Sequence, residues 1–375
     1  MLLKDRLLSA LLAIAVTTAA TAAITRFTPE KPEVSPAQIE EGITFIATGV
    51  PADEPVAIVD GNAASAELLT YQIGYSCSYL DYMLRAYGGE GLDFSQPLAS
   101  GADAKETILT ESLELVKQQL VLENLAERYG VTLSPEQETA LAERRAAEIE
   151  QLGYNNYLAE IYKLGLSREG YERVIRAEAL YQAFYDAYVT PGTALYADDD
   201  VLHAFAAGAG YITADHILLM TVDPDTREPL DEAAISEKRA LAEDILQRLR
   251  RADDPLAAFD ALADEYSEDP GRLANPTGYT FTHGTMVESF DAAARALDDN
   301  EISDIVESEY GYHIILRRPM DVKTAADAVR DEYFEIFFTA EANKAEMTLT
   351  PAVEQFDVEA VYSALRAAQG AQNEG

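Results

Sequence analysis

The sequence predicts an α+β protein. An all-helical domain is assembled from an N-terminal and a C-terminal stretch of chain, and a second domain, a small antiparallel sheet covered by helices, is inserted between them. Three observations carry this. From residue 64 to residue 207, apolar residues recur at the three- and four-residue spacing of helices that bury one face. From Tyr211 to Met320 the pattern changes to short apolar runs set between helices, at Tyr211–Met220, Tyr279–Phe281 and His313–Leu316. After Met320 the chain is helical again, and Val329, Tyr333, Phe334, Ile336, Phe337 and Phe338 are too apolar to stay wet. Each large side chain left exposed forfeits about 1.5–3 kcal/mol, so residues 321–375 are expected to pack on the N-terminal helices.

Composition bounds the function. The chain has 375 residues, 48% of them hydrophobic, enough for two or three folded domains. A formal net charge of -38 argues against nucleic acid and against anionic membrane surfaces, both of which need clustered Lys and Arg. The plain reading of that charge is solubility; the sharper one is a mild preference for cationic unfolded clients. The single cysteine, Cys77, excludes an internal disulfide and any site of several thiolates. No metal and no cofactor is expected.

Taken in order, Lys4 and Arg6 precede an uncharged run from Leu7 to Ile24. Residues 1–26 therefore read as a signal peptide or a retained signal anchor, with the bulk of the chain exported. Residues 27–54, with four prolines between Pro29 and Pro51, read as a tether. The helical domain spans 55–207. It opens with a strand at Val56–Val59 turned by Asp60-Gly61 and continues with helices near 64–87, 104–129, 135–152, 156–164, 167–188 and 197–207. Ser134-Pro135-Glu136-Gln137 is a capping box with proline at the first helical position. Tyr71, Tyr75, Tyr79 and Tyr82 share one helix face. They are expected either to pack on other helices or to line a groove for unfolded peptide.

The inserted domain, 208–320, opens with the buried strand Tyr211–Met220. Helices at 231–251 and after Asp254-Pro255 follow, then the Asn275–Gly278 turn, a short strand at Tyr279–Phe281 and a helix at 286–297. Closing strands at Ile305-Val306 and His313–Leu316 are joined by a turn at Tyr310-Gly311. Three of the four histidines fall in this segment, two of them inside strands. A lone strand histidine is usually a satisfied core residue.

The order Asp215-His216-Ile217-Leu218-Leu219, Tyr266-Ser267-Glu268-Asp269, Gly284-Thr285-Met286, Phe290 and Tyr310-Gly311-Tyr312-His313 resembles parvulin-type peptidyl-prolyl isomerases. With helical segments on either side, the chain resembles the PrsA and SurA family of extracytoplasmic foldases. The resemblance implies that His216, Asp269 and His313 form the catalytic core, that Met286 and Phe290 wall a proline pocket, and that Ser308 joins the histidine network. The family's usual Gly-Asp-Leu-Gly-x-Phe stretch is replaced here by Asn275–Phe281, with one residue extra before Met286, leaving Tyr279 and Phe281 as candidates for a third wall. The implied substrates are unfolded or partly folded exported proteins containing X-Pro bonds, and the reaction needs no covalent step. The runner-up is an inactive parvulin-like holdase that only binds peptide. The acidic stretch Asp223–Glu228 should repel phosphate. His283 is expected to be solvated, and His203 has no partner visible in the sequence.

Overall fold

The computed structural model describes residues 34–370. Two compact units emerge: one takes the described chain up to Tyr196 and again from Phe334, the other is Ala197–Tyr333. Up to Tyr196 the elements are α1 (Pro36–Glu41), α2 (Ile43–Thr48), β1 (Pro55–Val59), β2 (Asn62–Ser65), α3 (Ala66–Ala86), α4 (Ala104–Tyr129), α5 (Pro135–Leu152), α6 (Tyr154–Lys163) and α7 (Arg168–Val189). Then come α8 (Asp199–Gly208), β3 (Ile212–Met220), α9 (Glu232–Arg251), α10 (Pro255–Tyr266), β4 (Tyr279–Phe281), α11 (Glu288–Ala296), β5 (Ile302–Ser308) and β6 (Gly311–Arg318). The chain ends with α12 (Val322–Lys344), β7 (Met347–Leu349), a short 3-10 turn and α13 (Val358–Ala368).

In the first unit the helix boundaries follow their caps. Asp103 accepts the Glu106 N–H at the start of α4, and Gly130 closes it in the left-handed conformation. The expected capping box opens α5. A second one, Ser35 with Gln38, opens α1 inside the stretch expected to be a tether. That expectation is corrected for residues 34–54. Ile43, Thr44 and Val50 are buried, and the Thr44 hydroxyl donates to that of Thr70 at 3.0 Å. The prolines misled because Pro36 sits at the first helical position, where a missing N–H costs nothing. The expected strand at 56–59 is the centre of a three-stranded antiparallel sheet, ordered β2-β1-β7, whose third strand comes from the returning chain. The tyrosine stripe runs from buried to open along α3: Tyr71 is buried and Tyr82 is 67% exposed.

The second unit is bounded at Ala197 and Tyr333 rather than at 208 and 320. Leu202 and Ala206 of α8 bury against Ala325, Ala326 and Val329 of α12. Arg330 pairs with Asp199 at 2.6 Å. Val329, expected on the N-terminal helices, therefore packs on α8. Farther along the same helix, the Phe334 ring meets Tyr185 and Tyr188 of α7 at centroid distances of 5.2 and 4.9 Å. A helix advances about 100° per residue, so a long one can serve two cores in succession.

The sheet of this unit is antiparallel throughout, in the order β4-β3-β6-β5. β3 is buried over nearly its whole length, and its alternate residues serve two cores. Ile217 and Leu219 pack with Ile245 and Leu249 of α9 and with Phe259 and Leu262 of α10. Ile212 and Ala214 face Phe281, Phe290 and Ala294. Gly311, opposite Met220, has φ +146, and a Cβ there would collide with the Leu219 carbonyl. The leader expected at 1–26 lies outside the described residues, as does the tether up to residue 33. Among the described residues no helix is long and apolar enough to cross a membrane.

Candidate active site

The site grows from the pleat of two adjacent strands. In the β3–β6 register His216 lies opposite Ile315 and Leu218 opposite His313. The two histidines are thus diagonal neighbours on one face, a separation side chains of this length can bridge. Their rings lie nearly parallel with centroids 5.2 Å apart, and their Nδ1 atoms are 3.1 Å apart.

Both ends of this pair are held. His313 Nε2 is 2.6 Å from Ser308 Oγ, which accepts the Tyr310 N–H at 3.1 Å. His216 Nε2 stands 3.2 Å from Asp269 Oδ2, within ion-pair range but outside hydrogen-bond geometry. Asp269 Oδ2 accepts the Tyr279 hydroxyl at 2.6 Å, and Oδ1 accepts the Gly271 N–H at 3.1 Å. A carboxylate only accepts, which orders the protons. With one hydrogen on each ring, the order that suits this carboxylate puts the His216 hydrogen on Nε2, toward Asp269, and has His313 Nδ1–H donate to His216 Nδ1. His313 Nε2 then accepts from the Ser308 hydroxyl. The reverse order would set a bare ring nitrogen against a carboxylate.

Burial and the neighbouring His216 ring push His313 down to about 3. Burial raises Asp269, but the His216 ring, the Tyr279 hydroxyl and the Gly271 N–H outweigh it and bring the carboxyl to about 2. Burial, and then the bond to Asp269, push the Tyr279 phenol up.

Beneath this polar chain lies an apolar floor. The Phe290 ring meets His216 edge-on at 5.1 Å and His313 at 5.6 Å. Phe281 supports it from below at 5.9 Å and is 2% exposed, so it is core rather than a third wall. Phe290 is itself only 3% exposed and forms a floor rather than a side wall. Met286, which lies just before α11 rather than inside a helix, is partly exposed, as are Tyr279 and Ser308. Gly278, at φ +93, lets the Asn275–Gly278 turn press on the backbone of Ala214 and Asp215 where a Cβ would clash.

Residues 216–318 match the family model for rotamase, the PPIC-type PPIase domain. This segment is a PPIC-type PPIase domain. Foldase protein PrsA of Halalkalibacterium halodurans is 34% identical over 140 residues, covering 36% of this chain and 40% of that protein. Chaperone SurA of Chromohalobacter salexigens is 39% identical over 106 residues, covering 27% of this chain and 23% of that protein. The matches thus span well under half the length of these curated relatives. Among solved structures, PrsA from Bacillus subtilis shares 21% identity, with 85% of this chain and 93% of that chain covered, at a TM-score of 0.25.

Within this domain His216, His313, Asp269, Ser308, Tyr279 and Phe290 are joined by polar or ring contacts, while Met286 packs on the apolar cluster that holds Phe281 and Phe290. His283 stands apart, 70% exposed and 3.5 Å from Asp291. His203 does have a partner, the Met320 carbonyl at 3.2 Å, which its sequence neighbourhood could not reveal. Sequence reasoning missed Asp215, a carboxylate only 2% exposed beside His216. The signal was there: an acid inside a buried apolar strand must find cations, because an unpaired buried charge is too costly.

Proposed function

We propose that this protein is a peptidyl-prolyl cis-trans isomerase and chaperone for exported proteins. In this reading, the Ala197–Tyr333 unit turns X-Pro bonds and the helical segments on either side hold unfolded clients. The observation that carries it is the convergence of His216, His313 and Asp269 on the apolar floor of Phe290, at the place where the PPIC-type family model matches.

Rotation about an X-Pro bond faces a barrier of about 18–20 kcal/mol because the amide is conjugated. The twisted amide separates less charge than the planar one, so an apolar, dry surface favours it. Phe290 and Met286 supply that surface in this proposal, with Tyr279 and Ser308 at its rim. The Asp269–His216–His313–Ser308 chain transfers nothing. It holds the rim rigid and keeps the buried His313 ring uncharged against the apolar floor. Residues 1–26 would carry the chain out of the cytoplasm, then either anchor it or be cleaved.

The deciding test is isomerisation of an unphosphorylated Ala-Pro peptide by the full chain. Wild type should accelerate it, and His313→Ala should lower kcat/KM by about tenfold or more. A wild type that binds unfolded protein without isomerising would favour the second reading, the holdase. The near-complete burial of Phe290, which leaves little ring surface for a proline, is the feature that favours that alternative.

A further inference from the structure

Behind the site, on the opposite side of the β3 pleat, lies a charged ring that the isomerase reading leaves unused. Asp215 Oδ1 accepts the N–H of His216 at 2.7 Å and Arg272 Nη1 at 3.1 Å, and Oδ2 accepts Arg318 Nη2 at 2.8 Å. Arg272 also donates through Nε and Nη2 to Asp264, at 3.2 and 2.7 Å. Arg318 also pairs with Asp260. Asp260 and Asp264 stand one turn apart on α10, so the circuit Asp260–Arg318–Asp215–Arg272–Asp264 closes on itself.

The two arginines differ in what they are attached to. Arg318 ends β6, a strand already held by its ladder to β3. Arg272 belongs to an irregular loop and is joined to Asp269 by a single turn, its N–H donating to the Asp269 carbonyl at 3.2 Å. Its side chain is 12% exposed and makes three directed bonds to two carboxylates. The same loop continues with Leu273, 97% exposed, so apolar packing does not hold it at that point. Before Asp269 the chain is tied to β3 by the Glu268 N–H, which donates to the Leu218 carbonyl at 2.8 Å, and Asp269 itself accepts the Tyr279 hydroxyl; after Asp269 the turn is held from behind by the guanidinium fork, whose planar geometry can serve Asp215 and Asp264 together.

We propose that Arg272 is a positioning residue for the isomerase site. By clamping its loop to Asp215 on β3 and Asp264 on α10, it holds Asp269 opposite His216 Nε2 and thereby selects the His216 tautomer on which the proton order depends. This rests on the isomerase reading for its consequence in rate, but the tautomer can be measured whether or not the protein turns over peptide.

The experiment compares full-length wild type with Arg272→Gln, Arg272→Lys and Arg318→Gln. It records imidazole 15N shifts of His216 and His313, melting temperature and kcat/KM on an Ala-Pro peptide. Wild type should show His216 protonated at Nε2 and not at Nδ1. Arg272→Gln should give a mixture of tautomers at His216 and a kcat/KM lower by about ten- to hundredfold, the range expected when a site group is misplaced by an ångström or so. Arg272→Lys keeps the charge but not the fork, and should fall between the two. Arg318→Gln should lower the melting temperature while leaving the tautomer and kcat/KM as in wild type. The proposal is overturned if Arg272→Gln and Arg272→Lys lower only the melting temperature, or if Arg318→Gln disturbs the tautomer as much as they do. If Arg272→Gln does not fold, Arg272→Lys against Arg318→Gln still decides. A wild type with the expected tautomer and no turnover would sink the isomerase reading and leave the clamp standing.

Discussion

Two clusters of rings, one in each unit, are packed at similar distances and are put to different uses. In the first unit Phe334 lies among Tyr181, Phe184, Tyr185 and Tyr188, with centroids 4.9 to 6.2 Å away. In the second, Phe290 lies among Phe281, His216 and His313, with centroids 5.1 to 5.9 Å away. The first cluster is carbon against carbon, with hydroxyls at its edge, such as Tyr181 donating to Glu335 at 3.3 Å. In the second, two of the rings carry nitrogens that must each be supplied with a proton or an acceptor. Packing alone therefore does not mark a site. What marks it is that the same density is kept around groups whose protonation can change.

The largest effect should come from the first cluster. Phe334→Ala removes a fully buried ring and should cost about 3–5 kcal/mol. Chemical denaturation of the full chain, followed through tyrosine signals, checks this. If the loss were under about 1 kcal/mol, the returning helix would not be the anchor its ring contacts imply.

Next comes a dependence on pH set by the second cluster. His313 titrates near 6.5 when unfolded and is held down to about 3 when folded. Between those values the unfolded chain binds more protons, so stability is full above 6.5 and falls as the pH drops toward 3. Asp269, lowered from 3.8 to about 2, adds a further loss as the pH falls from 3.8 toward about 2, because it too is depressed by folding. Thermal melts from pH 7 to pH 4 should show wild type losing more stability than His313→Gln. Equal slopes would mean that the buried histidine does not set the acid limit.

The smallest effect concerns selectivity and the loop that follows β3. Asp223 accepts the N–H groups of Asp225 and Thr226 at 3.0 and 2.8 Å, bonds that hold its carboxyl below the usual range. The loop therefore presents a fixed negative charge, and a phosphoserine-proline peptide should be turned over a few-fold more slowly than alanine-proline, less so at high salt. A faster rate on the phosphopeptide would remove this loop from the account of specificity.

Much of this could be read along the chain because it depends on neighbours in sequence. Alternation in β3 puts Ile217 and Leu219 on one face and His216 on the other, but His313 stands beside it only through the β3–β6 register, which the sequence offered solely as what the family resemblance implies. Ser134 to Gln137 named a helix start, and the identical signature at Ser35 to Gln38 was equally legible but lay hidden among prolines. β7 was not legible: Met347–Leu349 is too short to show a period, and it is a strand only because β1 offers an edge. Composition and local period could thus specify the helices and the longer strands, since those follow from backbone geometry within a few residues. They could not specify that Asp215 would meet Arg272 and Arg318, 57 and 103 residues away, or that His203 would find the Met320 carbonyl. A buried charge or ring nitrogen only requires some partner. Which one it takes is settled when the strands and loops close on each other, and that closure also decides which way the protons run between Asp269 and Ser308.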